Sequence, residues 1–89
     1  MVAIHFTQNI QRHIACPERA VSGDTVREVL ANYFADNETA RAYVLDDQGA
    51  LRHHMMIFVD GAPVADRGTL SDAVGPDSNL HVIQALSGG

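Results

Sequence analysis

The sequence predicts an α+β domain in which one main helix packs on one face of a mixed sheet of four to five strands. Three observations carry that prediction. Residues Val2 to Thr7 alternate apolar and polar, a single apolar stripe at helical spacing runs from Val26 to Phe34, and Met55 to Val59 is continuously apolar before an Asp-Gly turn. Eighty-nine residues with 46% apolar content suffice for one modest core but not for a catalytic cleft walled on all sides.

In chain order, Val2–Thr7 places Ile4 and Phe6 on one side, the period-2 pattern of a half-buried strand. Gln8-Asn9 is expected to turn the chain into a second strand over Ile10–Ala15, with Ile10 and Ile14 marking its apolar positions, which completes an N-terminal hairpin. Val26, Val29, Leu30, Tyr33 and Phe34 then fall at i, i+3, i+4, i+7 and i+8, so a helix is expected from about Thr25 to about Ala35. Thr25 and Glu28 make a capping box, with Asp24 as the competing cap, and Asp36-Asn37 ends the helix. A short helical turn is expected over Glu38–Tyr43.

Val44-Leu45 reads as extended chain turned by Asp46-Asp47-Gln48-Gly49. Met55–Val59 is expected as a strand covered on both faces or nearly so. Asp60-Gly61 is a tight-turn signal, and Pro63 limits Ala62–Val64 to a short edge piece. Leu70–Val74 is expected as a brief helical turn, Gly75–Ser78 as a loop, and Leu80–Leu86 as the last strand. The order β-β-α-β-(short β)-β with one amphipathic helix resembles the β-grasp, or ubiquitin-like, arrangement. That resemblance implies first and last strands parallel at the sheet centre, a folded domain over 1–86, and a flexible tail over 87–89.

Several pieces in order extend the resemblance: Gly23-Asp-Thr-Val-Arg-Glu-Val-Leu30, Val44-Leu-Asp-Asp-Gln-Gly49 followed by Arg52, Ile57-Phe-Val-Asp-Gly61, the loop with Asp77, and Ala85-Leu-Ser-Gly-Gly89. Together they make the chain similar to the ThiS/MoaD family of sulfur carriers. The resemblance implies that an adenylating activating enzyme of the E1-like type uses ATP to activate the Gly89 carboxylate. Sulfur from a donor then displaces AMP to leave a thiocarboxylate, which serves a sulfur-accepting synthase. Ser87, Gly88 and Gly89 are the tail expected to enter the partner's active site, and glycine without a Cβ suits a narrow channel. The carrier supplies no catalytic residue and binds no cofactor of its own; it is a co-substrate rather than an enzyme, monomeric when free.

Within that reading, cysteine or related sulfur-metabolite and cofactor synthesis is the expected destination, with the small subunit of molybdopterin synthase as the runner-up. A ubiquitin-like modifier joined to other proteins through Gly89 is a second hypothesis. The chain's six basic residues are all arginine, so side-chain self-linkage through lysine is ruled out. A β-grasp binding module with incidental glycines is a third.

Composition bounds the rest. Eleven acidic residues against six scattered arginines give a net charge of -5, which argues against nucleic acid. No apolar run approaches the ~20 residues of a membrane span, and the N-terminus lacks a secretory pattern, so a cytoplasmic location is expected. Cys16, the single cysteine, is expected to be a buried or idle thiol. Among five histidines, His53-His54 are adjacent and, on a strand, would face opposite ways. His5 and His81 form a conceivable pair, but no functional metal is expected. Asp46-Asp47 belongs to a turn and Met55-Met56 to the core. The sheet face away from the helix is expected to carry a docking patch containing Ile83 and either Met55/Ile57 or Met56/Phe58, the choice resting on register.

Overall fold

The structure is a computed structural model that describes residues 1–84. Strand β1 (Val2–Phe6) buries Val2, Ile4 and Phe6 and leaves Ala3 and His5 half-buried on its other side. It pairs antiparallel with β2 (Arg19–Val21) and parallel with β5 (Asn79–Gln84). β5 in turn pairs antiparallel with β3 (Met55–Val59), and β3 with the two-residue β4 (Ala62–Pro63). The sheet order β2-β1-β5-β3-β4 sets first and last strands side by side and parallel, as the fold resemblance implied. The predicted last strand begins one residue earlier, at Asn79; its Ala85 and Leu86, and the tail Ser87-Gly88-Gly89, lie outside the described residues.

Helix α2 (Val26–Tyr33) crosses one face of the sheet and buries Val26, Val29, Leu30 and Tyr33; a 3₁₀ turn over Phe34–Asp36 extends it. The capping box forms with a shift of one residue. Thr25 Oγ1 accepts the Glu28 N–H at 3.2 Å, while Glu28 Oε1 accepts from the N–H of Asp24 rather than of Thr25, at 3.0 Å. The next free donors are met by tertiary contact, Val26 N–H donating to Asp72 O and Arg27 N–H to Leu70 O. Gly23 lies against this first turn so closely that an added Cβ would sit 2.7 Å from Val29 Cγ2 and 2.8 Å from Val29 N.

Four expectations are corrected. Ile10–Ala15 is not a strand: Gln8–Gln11 forms the short helix α1, and β1 meets its partner only at Arg19. Ile10 and Ile14 are four apart, a spacing common to strand and helix, and here Ile14 N–H donates to Ile10 O. Gln11 Nε2 closes the turn on Phe6 O at 2.9 Å. Val44 ends helix α3 (Glu38–Val44) rather than opening extended chain; only Leu45 is extended, bridged to Leu51.

Leu70–Val74 is not helical. Asp66 accepts from the Thr69 and Ser71 hydroxyls and from the N–H groups of Gly68 and Thr69, and Asp72 accepts from the N–H groups of Ala65 and Asp66. Side chains of this kind offer the backbone an alternative to helix bonds, and Leu70 takes a positive φ of 55° inside the loop they fold. Finally, β3 is covered on one face only: Met55 and Ile57 are buried, Met56 and Phe58 half-buried. The Asp60-Gly61 turn stands where expected, with φ of 51° and 88° as the hairpin twist requires.

Candidate functional site

The outer face of the sheet is built by strand alternation alone. Ala3 and His5 of β1, His81 and Ile83 of β5, and Met56 and Phe58 of β3 all point away from α2. Register sets Met56 opposite Ile83, and Phe58 and His5 on either side of His81. This resolves the alternative left by the sequence in favour of Met56/Phe58, because Met55 and Ile57 face the core. The patch is apolar along β3 and at Ile83 and polar along β1.

His5 and His81 come together as expected, stacked at 4.6 Å between centroids with 15° between planes. Both ring nitrogens of His5 have partners. His5 Nε2 meets Asn79 Oδ1 at 3.0 Å and its Nδ1 meets Glu18 Oε1 at 2.7 Å. Acceptors at both nitrogens favour the imidazolium, so the Asn79 and Glu18 hydrogen bonds raise the His5 pKa above its usual 6.5. Among the described residues no three metal-ligating side chains cluster.

Strand β5 is pinned at Gln84. Gln84 Oε1 accepts from Tyr43 Oη of α3 at 3.0 Å and from Asn9 Nδ2 of α1 at 3.4 Å. Tyr43 is itself stacked on His13 at 6.0 Å and met edge-on by His54 at 6.4 Å. Sequence reasoning missed Asn9, Tyr43 and Gln84, since nothing in their spacing connects residues 41 and 75 positions apart. At the far end of β5, Asp60 holds the strand start: Oδ1 accepts the Asn79 N–H and Oδ2 the Ser78 hydroxyl, each at 2.8 Å. Those two donors, the Asn79 N–H above all, lower the Asp60 pKa.

The other candidates settle as structural. Cys16 is buried, and desolvation raises its thiol pKa, the wrong direction for a nucleophile. Asp46 organises its own turn, with Oδ1 accepting from Gln48 and Ala50 N–H. His53 and His54 sit in a turn rather than a strand, closed by Met55 N–H on Arg52 O, and share one concavity with Arg52 and Arg67. Two arginines that look isolated in the sequence are therefore neighbours.

No known protein-family model matches the sequence, and no curated protein matches it. Solved structures do. CysO of Mycobacterium tuberculosis superposes with a TM-score of 0.80 at 20% identity, over 97% of this chain and 100% of that one. Small archaeal modifier protein 1 of Methanosarcina acetivorans gives 0.78 at 18% identity, over 99% and 95%. A chain of the Amycolatopsis orientalis BexX/CysO complex gives 0.77 at 21% identity, over 100% of both. With its sheet order β2-β1-β5-β3-β4 and α2 across one face, the chain has the ubiquitin-like β-grasp fold.

Proposed function

We propose that the protein is a sulfur carrier of the ThiS/MoaD type whose Gly89 carboxylate is adenylated by a partner and converted to a thiocarboxylate. The observation that carries this reading is the anchoring of β5 by Asn9 and Tyr43 at Gln84, four residues before the Gly88-Gly89 pair. A central strand held on both sides presents the following segment from a fixed origin. That is what delivery of a carboxylate into another protein's active site needs.

The outer sheet face is the docking surface in this reading. Met56, Phe58 and Ile83, each half-buried, supply apolar contact, and no helix among the described residues covers them. The chain's own acidic balance favours an activating enzyme with a basic rim, which steers association. That one structural relative occurs in a complex named for two proteins, BexX and CysO, supports a partner-dependent role. The sulfur then passes to a synthase for cysteine or a related metabolite or cofactor.

Intact-mass spectrometry tests the reading. With the cognate adenylating enzyme, ATP and sulfide, the protein gains the mass difference of one sulfur replacing one oxygen, and deletion of Gly88-Gly89 abolishes the gain. A protein left unmodified under those conditions overturns it. A modifier role is the second reading, favoured by the name of the archaeal neighbour; it predicts isopeptide-linked adducts at Gly89 on lysines of other proteins.

A further inference from the structure

Away from the sheet face, the chain folds its loops 46–54 and 64–70 into an open bowl of about 420 Å³ lined by Asp46, Leu51, Arg52, His53, His54 and Arg67. Both guanidiniums are fixed by backbone carbonyls rather than by carboxylates. Arg52 Nε donates to Ala42 O at 2.8 Å, and Arg67 Nη2 donates to Arg52 O at 2.9 Å. Leu51 N–H returns a bond to Arg67 O at 2.9 Å, so the two loops are tied twice.

Neither arginine makes an ion pair among the described residues. The one acid in the lining, Asp46, turns Oδ1 to two N–H groups of its own loop. The remaining guanidinium N–H groups and two exposed imidazoles therefore share a concavity that sets two arginines against one carboxylate, Asp46, on a chain of net charge -5.

We propose that this bowl binds a tetrahedral oxyanion of the phosphate class, at a site distinct from the C-terminal carboxylate. Arginine forks match such an anion with several parallel N–H donors, and arginines already held by carbonyls lose little freedom on binding it. A cation is disfavoured by the same charges and by the absence, among the described residues, of three clustered metal ligands. The site also has a built-in reporter, because His54 packs on Tyr43, whose hydroxyl holds Gln84.

The test is a titration of the isotope-labelled full-length protein, followed by amide chemical shifts, with sodium phosphate against sodium chloride at matched ionic strength. Saturable shifts are expected at Leu51–Met55, Arg67 and Gln84, with a Kd of ~1 mM, as suits a few exposed charged contacts. A parallel titration with AMP separates the sources: tighter binding than phosphate identifies a nucleotide-borne phosphoryl group, and equal or weaker binding identifies the free ion.

Arg67→Gln is expected to weaken binding by about fivefold or more. Because it also removes the bond to Arg52 O, the double variant His53→Gln, His54→Gln, confined to exposed turn residues, serves as the second probe with the same expectation. Arg12→Gln, outside the bowl, leaves the titration unchanged. Shifts that never saturate, that chloride reproduces, or that the histidine double variant leaves unaltered overturn the proposal.

Discussion

Met55 and Ile57 lie in the core they share with the α2 stripe and are sealed from water, whereas Met56 and Phe58, each one residue along the same strand, stand half-exposed on a face that no helix among the described residues covers. The two faces of β3 are close in composition and differ in what lies opposite them. On the inner face Ile57 joins Leu80, Val82, Ile4 and the α2 stripe in one core; on the outer face Phe58 lies opposite His81 and Met56 opposite Ile83, all but the exposed His81 half-buried. Apolar side chains are kept inside by folding itself. Outside, they leave a cost in water that contact with another protein would relieve. The inner face carries stability, and the outer face is the one the proposed docking uses.

The largest expected effect breaks the inner face. Ile57→Ala leaves a cavity in a sealed core and is expected to cost about 3 kcal/mol, read as a lower midpoint in urea unfolding. Next is Gly23→Ala, which drives a methyl into Val29 at the start of α2; an overpacking cost of about 2 kcal/mol is expected in the same assay. If it unfolds at the native midpoint, the close approach does not constrain the helix.

Phe58→Ala sharpens the comparison from the other side. Its half-exposed position predicts a stability loss under about 1.5 kcal/mol, well below that of Ile57→Ala, and the proposed carrier function predicts slower conversion of Gly89 by an activating enzyme as well. Equal destabilisation by Phe58→Ala and Ile57→Ala would erase the distinction between the faces.

The smallest effects are pH slopes of opposite sign. His5 has a raised folded-state pKa, so its contribution is fully present below about 6.5 and is lost as pH rises through the folded value. Asp60 has a lowered one, so its contribution is present above its unfolded value of 3.8 and is lost as pH falls through the folded value. His5→Gln should flatten the basic limb of a stability-against-pH curve and leave the acidic limb alone, and Asp60→Asn should do the reverse.

Much of this arrangement was legible in the residues. The Thr25 cap, the α2 stripe, the Asp60-Gly61 turn and the apolar run of β3 are each written locally, in spacings or in one residue's φ preference. The N-terminal hairpin was misread because Ile10 and Ile14 fit two periods at once, and because β2 has only Val21 buried, too few positions to show a pattern. Leu70–Val74 is loop rather than helical turn because Asp66, Thr69, Ser71 and Asp72 take up the bonds a helix would have used.

Sequence by itself therefore determined the fold class, the helix and its start, and the hairpin turn at Asp60, since capping, periodicity and positive φ act over a few residues. Tertiary structure alone decided which face of β3 is outward, that Asn9 and Tyr43 would clamp Gln84, and that Arg52 and Arg67 would line one bowl. Those outcomes depend on strand register and on contacts between distant segments. A period-2 pattern that is apolar on both faces holds no information about register, and only the packing of α2 against one face breaks the tie.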